Sequence, residues 1–141
     1  VPTMIVIPQR VIENGSVISL RGDSGNYMSR MGATGLELSK GSIDQYCKFR
    51  VVLVQIGTDK KLALQGDTGK FMSRMGATGL ELSKDSIDQY CQFAYAIDTA
   101  SGQVSLRGDN GKWMSRMGET GLQLSKDGID RFSQFMLVLE G

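Results

Sequence analysis

The sequence contains no histidine among its 141 residues. Histidine is the commonest general base and the commonest metal ligand in proteins, so its absence counts against acid–base catalysis and against a metal centre. Sixteen basic residues stand against fifteen acidic ones, which leaves a formal net charge of +1. That balance does not favour nucleic acid or an anionic membrane surface as a partner. We therefore expect a non-enzymatic protein with no cofactor, no metal and no nucleic-acid partner.

Long apolar runs are also missing from the sequence. No stretch of apolar residues is long enough to span a bilayer, so we expect no membrane insertion. The length suits one compact domain with a sizeable core. The composition is compatible with either a secreted or a cytoplasmic soluble protein.

What the sequence does contain is one segment that occurs three times, as Gly22–Phe49, Gly66–Phe93 and Gly108–Phe135. The offsets between the copies are 44 and 42 residues. With one preceding residue included, the first two copies are identical at 23 of 29 positions, and the last two at 20. A fixed period of this length marks a repeat architecture.

Each copy predicts four short strands, because its apolar residues alternate with other residues at period two. In the first copy the first three strands contain Leu20, Met28 and Leu38. The fourth has the alternating residues Cys47, Phe49, Val51 and Leu53. A Gly-Asp-x-Gly turn separates the first two strands, and we expect positive φ at both of its glycines. A Met-Gly-x-Thr-Gly turn separates the second strand from the third, and a polar loop leads to the fourth. No window of a dozen residues indicates an amphipathic helix.

Twelve strands in three equal units predict an all-β protein with a β-trefoil fold. A unit of roughly 43 residues cannot bury its own apolar faces, whereas three units closed around a pseudo-threefold axis can. A propeller is the main rival, but propellers usually have at least four blades. We expect an N-terminal arm over residues 1–14 and one trefoil domain over 15–141. The predicted repeats within that domain are residues 15–57, 58–99 and 100–141.

The N-terminal arm is expected to form a hairpin with the first repeat strand. Asn14-Gly15 lies between Val11-Ile12 and Val17-Ile18, which is the pattern of a two-residue hairpin turn. Because the twelve strands are complete without residues 1–12, two further partners are open to the arm. They are the C-terminal strand and the same arm of a second chain, which would give a homodimer.

The two cysteines, Cys47 and Cys91, occupy equivalent repeat positions, and the third copy has Ser133 there. A disulfide framework would not normally leave one repeat unpaired. We therefore expect both cysteines to be buried free thiols rather than a bridge.

The segments LRGDSGNYMS, LQGDTGKFMS and LRGDNGKWMS resemble the repeat of fascin and hisactophilin-type trefoils. That repeat has an apolar strand, a glycine-containing turn, Gly-Lys-aromatic-aliphatic-Ser and a later aromatic residue that closes the unit. The resemblance covers residues 17–139 in all three copies. It implies a β-trefoil fold, and it implies actin binding or bundling as a function.

A second resemblance lies at the end of each unit, where Asp44-Gln45-Tyr46-Cys47-Lys48-Phe49 is similar to the Asn-Gln-x-Trp-x-Phe signature of ricin-type lectin repeats. In that alignment the sugar-binding aspartate of the family falls on Ser29, Ser73 and Ser115. The ricin-type pocket is therefore not carried over. The likeness implies only a trefoil fold that is related to those of many lectins.

Several polar residues recur in the three copies and form the candidate carbohydrate sites. A sugar hydroxyl needs a carboxylate or amide acceptor beside a donor, often with an aromatic face, which Tyr46 or Tyr27 could supply. The candidate residues are Arg30, Glu37, Asp44, Gln45, Arg74, Glu81, Asp88, Gln89, Arg116, Gln123 and Asp130. The alternative is that arginine and aspartate form a salt bridge inside each repeat and serve only the fold.

These patterns predict a multivalent lectin, an agglutinin with up to three shallow sites that binds glycans on glycoproteins or cell surfaces. Weak single-site affinity would be multiplied by simultaneous engagement of several sites. Glu119, Gln123 and Arg131 depart from the other two copies, so the third site is expected to differ in affinity. An actin-binding or bundling protein is the alternative, and a trefoil protease inhibitor is a third hypothesis.

Overall fold

A computed structural model describes residues 4–7 and 10–140 of the chain. Fourteen strands and three 3₁₀ turns make up the regular structure of this part, so the all-β prediction is confirmed. The strands are β1 (Met4–Ile7), β2 (Arg10–Glu13), β3 (Val17–Arg21), β4 (Tyr27–Met31), β5 (Gly35–Lys40), β6 (Phe49–Ile56), β7 (Asp59–Gln65), β8 (Phe71–Met75), β9 (Gly79–Lys84), β10 (Ala94–Ile97), β11 (Gln103–Arg107), β12 (Trp113–Met117), β13 (Gly121–Lys126) and β14 (Phe135–Leu139). The 3₁₀ turns are Gln45–Cys47, Gln89–Cys91 and Arg131–Ser133. In the described part of the chain, no helix is both long and apolar enough to cross a membrane.

Twelve of the strands, β3 to β14, fall into three runs of four, and we call these unit 1 (β3 to β6), unit 2 (β7 to β10) and unit 3 (β11 to β14). In each unit the second and third strands form an antiparallel hairpin with a bulge near its start. The last strand of each unit pairs antiparallel with the first strand of another, as β6 with β7, β10 with β11 and β14 with β3. Strand pairing therefore joins the units to one another, including the last to the first.

The hydrophobic core is built from the same positions in every unit. Phe49, Phe93 and Phe135 open or directly precede the fourth strands and are at most 1 % exposed. Met28 and Leu38 of the first hairpin are fully buried, as are their equivalents in the other units. Burial of one such side chain contributes roughly 1.5–3 kcal/mol, so the alternating residues that predict the strands also supply the packing energy.

The sequence predicts positive φ at both glycines of each Gly-Asp-x-Gly turn, but only the second glycine has it. Gly25 has φ +88°, while Gly22 does not lie in the left-handed region. A Cβ on Gly22 would stand 2.8 Å from Leu38 Cδ1. The prediction for the first glycine is therefore wrong, and the residue is required there because the buried leucine of the hairpin packs against it.

In its described residues, 4–7 and 10–14, the N-terminal arm does not pair with the first repeat strand, so this prediction is wrong for that part of the arm. Asn14-Gly15 does form a turn, with the Ser16 amide donating to the Glu13 carbonyl at 3.0 Å. Strand β3, however, pairs with β14, β6 and β4, and β1 pairs with β2 as a separate two-stranded sheet. The C-terminal strand β14 pairs with β3 and β11 rather than with the arm.

The hairpin of β1 and β2 nevertheless belongs to the core. Ile5 and Ile12 are 8 % and 1 % exposed, and they line a small apolar cavity together with residues of all three units such as Leu20, Leu64 and Leu106. The arm therefore closes one end of the packed interior. Residues 1–3, 8 and 9 of the predicted arm lie outside the described part, and the proposed homodimer through the arm stays a prediction.

Both cysteines are free and fully buried, as predicted. They lie in the 3₁₀ turns rather than in the fourth strands, where the alternation had placed them. Removal from water raises the pKa of the Cys47 and Cys91 thiols. Buried neutral thiols of this kind act as small hydrophobic groups.

Candidate functional site

Each candidate site is built around a 3₁₀ turn that an aspartate caps. In unit 1 the Asp44 carboxylate accepts from the Tyr46 amide at 3.0 Å and from Lys40 Nζ at 2.9 Å. The Lys40 hydrogen bond is the main reason that the pKa of Asp44 lies below its usual value. The equivalent Lys–Asp distances are 3.0 Å in unit 2 and 3.1 Å in unit 3. The aspartate of the predicted site thus fixes the turn that carries the neighbouring aromatic residue.

The aromatic ring of this turn lies beside two cationic groups. The Arg30 guanidinium carbon is 4.9 Å from the centroid of the Tyr46 ring, and Lys40 Nζ is 5.3 Å from it. Tyr90 in unit 2 has the same neighbours at 5.0 and 5.3 Å, and Phe132 in unit 3 at 5.0 and 5.2 Å. Cations at such distances are attracted to the negative face of the ring. Each unit therefore presents a half-buried aromatic ring beside the same arginine and lysine pair.

Arg30 forms its ion pair with the next unit and not within its own. Its Nε and Nη2 atoms donate to the two carboxylate oxygens of Asp67 at 2.7 and 2.9 Å, and Nη1 donates to the Gly32 carbonyl. Arg74 binds Asp109 in the same manner, at 2.7 and 3.0 Å, and Arg116 binds Asp23 at 2.7 and 2.9 Å. The arginine hydrogen bond is the largest cause of the lowered pKa of Asp67. The expected alternative of a salt bridge inside each repeat is therefore replaced by one between units.

The structure brings some of the predicted residues together and separates others. Arg30 and Asp44 meet through the Tyr46 ring and Lys40, and exposed Gln45 is the first residue of the same turn. Glu37 lies opposite Ser29 on the hairpin, and its side chain makes no hydrogen bond or ion pair with the described residues. In unit 2, Arg74 and Asp88 likewise meet through the ring and its lysine, Gln89 begins the turn, and Glu81 lies opposite the hairpin serine. In unit 3, Arg116 and Asp130 meet in the same way, and Gln123 lies opposite the serine.

Sequence reasoning left Lys40, Asp67 and Met31 out of the site. Lys40 bridges Asp44 and the ring, while Asp67 holds the Arg30 fork in place. Met31 is 37 % exposed at the end of β4, and its sulfur accepts from the Ser39 hydroxyl at 3.4 Å. Their threefold recurrence was visible in the sequence, but nothing local indicated which recurring residues meet in space.

In unit 3 the surface beside the ring is an open depression. It is lined by Arg116, Met117, Gly118, Lys126 and Phe132, with a volume of about 300 Å³. It combines an apolar ring and thioether with a guanidinium and an ammonium that retain unused N–H donors. Such a surface can hold a small polar ligand with apolar C–H faces.

The serines at the ricin-type aspartate position cannot contact a ligand in solvent. Ser29, Ser73 and Ser115 are fully buried, and each hydroxyl donates to the carbonyl of the next residue at 3.2 Å. This agrees with the expectation that the ricin-type pocket is not carried over. Tyr27, the other predicted platform, is half-buried with the Arg21 guanidinium carbon 5.6 Å from its ring centroid.

No protein-family model matches this chain, and no curated protein matches it significantly. Within residues 4–7 and 10–140, no group of three acidic or cysteine side chains is close enough together to hold a metal ion. The function therefore has to be inferred from the geometry and chemistry of the recurring site.

Proposed function

We propose that this protein is a β-trefoil lectin, a non-enzymatic, multivalent carbohydrate-binding protein with up to three equivalent shallow sites. The trefoil is supported by the pairing of each unit's last strand with the first strand of another unit, β14 with β3 included. The Arg30–Asp67, Arg74–Asp109 and Arg116–Asp23 ion pairs follow the same cyclic order.

The observation that carries the lectin proposal is an aromatic ring beside two cationic groups, repeated in every unit, and in unit 3 this ring lines an open depression. The ring offers an apolar surface to the C–H groups of a pyranose. Lys40 uses one of its three N–H donors on Asp44, so the others are available to sugar hydroxyls. The Asp44 carboxylate and the Gln45 amide supply acceptors at the edge of the same turn. A sugar needs this pairing of donors and acceptors next to an aromatic face.

Three weak sites on one chain favour binding to surfaces that display many copies of a glycan. A second sugar bound to the same chain is captured at a high effective concentration, which raises the avidity without any new contact. We therefore expect agglutination of glycan-coated cells or vesicles, inhibited by the free sugar.

The test is a glycan array, followed by calorimetry with the glycan that binds best. We expect close to three sugars per chain, and the loss of one site each in Tyr46→Leu, Tyr90→Leu and Phe132→Leu. The matched control is Thr99→Ala, an exposed turn residue between β10 and β11, which should bind like the wild type. Arginine variants are less suitable, because Arg30 also joins two units through Asp67.

Failure to bind any glycan would overturn the proposal, provided that the protein melts cooperatively. Co-sedimentation with actin filaments, measured on the same preparation, would then favour the alternative that the fascin-like repeat implies. Glycan binding that survives all three ring substitutions would also overturn the proposed location of the sites.

A further inference from the structure

The site of unit 3 differs from the other two in the charges near its ring. Arg131 takes the place of Gln45 and Gln89, and Gln123 takes the place of two glutamates. Both replacements make the surroundings more positive. Glu119 replaces an alanine in the adjoining turn and acts in the opposite direction. One cation is therefore gained directly at the aromatic turn.

Three cationic groups lie around the Phe132 ring, where the other units have two. The Arg131 guanidinium carbon is 4.6 Å from the ring centroid, compared with 5.0 Å for Arg116 and 5.2 Å for Lys126 Nζ. Arg116 donates to Asp23, and Lys126 donates to Asp130. Two of the three cations therefore already have a carboxylate partner.

Arg131 is the cation without such a partner. It is exposed, and it has no hydrogen bond and no ion pair within 4 Å among residues 4–7 and 10–140. Its charge reaches Asp23, whose pKa is lowered mainly by the Arg116 hydrogen bond and to a smaller degree by Arg131. Its N–H donors remain free for a ligand, since a guanidinium carries five of them in a planar fork.

The fork of an arginine matches the two oxygens of a carboxylate, or two oxygens of a sulfate, at hydrogen-bond distance. A ligand seated on the Phe132 face would bring its own anionic group within reach of Arg131, Arg116 and Lys126. Gln45 and Gln89 at the same place in the other units carry no positive charge and no planar fork of donors to match an anionic group. We infer that the unit 3 site prefers an acidic sugar, one with a carboxylate or sulfate group, to the matching neutral sugar, whereas the sites of units 1 and 2 lack this preference.

This inference rests on the proposed lectin function and is tested by two reciprocal substitutions. Arg131→Gln converts the unit 3 turn towards the unit 2 residue, and Gln89→Arg does the reverse. Matched galactosides in neutral, sialylated and sulfated form serve as probes, first on an array and then in calorimetry. The sialylated and sulfated arms distinguish carboxylate from sulfate recognition.

We expect Arg131→Gln to lose about tenfold or more in affinity for the acidic galactosides, while affinity for neutral ones is unchanged. Gln89→Arg should raise the number of sites per chain that bind acidic galactosides more tightly than neutral ones from one to two. Arg131→Lys should fall between the wild type and Arg131→Gln, because lysine keeps the charge but lacks the planar fork. Melting curves of all three should match the wild type, since both positions are exposed.

The outcomes separate the two proposals. If neutral galactosides bind and the acidic forms show no advantage that depends on Arg131, this inference is overturned and the lectin proposal stands. If no glycan of any charge binds to a folded sample, the lectin proposal falls and takes this inference with it.

Discussion

Arg116 near the end of the chain forms a two-point ion pair with Asp23 near its beginning, although 93 residues separate them. The pairs Arg30–Asp67 and Arg74–Asp109 have the same geometry across 37 and 35 residues. Side chains in all three pairs are only 16–20 % exposed. The contact between the two ends of the chain is thus equivalent to the contacts between neighbouring units.

Neutralising any one of these aspartates should weaken the fold by a similar amount. We expect Asp23→Asn, Asp67→Asn and Asp109→Asn each to lower the free energy of unfolding by about 1 kcal/mol, because a charge-assisted hydrogen bond is lost in a partly screened setting. Urea titration measures the change. Asp85→Asn is the control, since Asp85 bonds Lys70 with a side chain that is 83 % exposed. If Asp23→Asn left the free energy of unfolding unchanged while Asp67→Asn and Asp109→Asn lowered it, the three contacts would not be equivalent.

Alanine at the first turn glycine should be poorly tolerated. A Cβ at Gly22 would meet Leu38 Cδ1 at 2.8 Å, and Leu38 is fully buried and has little room to shift. We expect Gly22→Ala to cost about 1–3 kcal/mol through overpacking. Gly41→Ala is the matched control, because no atom lies within 4 Å of its added Cβ and its φ is not positive. Equal melting temperatures for the two variants would show that the leucine can move aside.

Stability should be flat near neutral pH and fall steeply in acid. The aspartates with a lowered pKa are Asp23, Asp44, Asp67, Asp88, Asp109, Asp127 and Asp130. A lowered folded-state pKa stabilises the fold above the unfolded value of about 3.9, and this contribution is lost as the pH falls through the folded-state values. No histidine is present to add a transition between pH 6 and 7.

Thermal melts from pH 8 down to pH 2 test this dependence. We expect a plateau down to about pH 5, followed by a drop in melting temperature below about pH 4. The acid drop should be shallower in Asp67→Asn, which has one fewer carboxylate to protonate. A drop that begins above pH 6 would contradict the assignment to these aspartates.

Both thiols should be unreactive until the protein unfolds. Cys47 and Cys91 are fully buried, and burial raises the pKa of each, so the reactive thiolate is scarce and inaccessible. A disulfide reagent at pH 8 should titrate no thiol in the native protein and two in denaturant. Cys47→Ser should keep the fold, because Ser133 already occupies the third equivalent position and bonds the Asp130 backbone. Rapid labelling of the native protein would indicate local opening of the 3₁₀ turns.

The sequence predicted the strands well, because strand formation depends on a local alternation that three copies repeat. The 3₁₀ turns were missed, since Cys47 continues the alternation of Phe49 and Val51 although Asp44 caps a turn there. The pairing of the arm was mispredicted for a different reason. The Asn14-Gly15 turn is a local property, whereas the partners of β3 are set by β14 and β6 from distant parts of the chain.

The sequence predicts which residues belong to the candidate site better than it predicts which of them contact each other. Recurrence in three copies singled out Arg30 and Asp44, but near-identical repeats offer every arginine several equivalent aspartates. Sequence spacing cannot decide between a partner inside the unit and one in the next, because the choice of Asp67 depends on how the units are arranged.

The direction of the arginine contacts has a consequence for a unit taken by itself. Each unit donates through its arginine to one neighbour and accepts through its aspartate from the other, so a single unit carries both halves of a head-to-tail interface. Contacts of this kind generate a ring when the rotation between neighbours closes, and here it closes after three. A separately synthesised unit 2 therefore carries both the arginine and the aspartate that a homotrimer needs. Three such short chains would reproduce the contacts that one long chain makes between its three units.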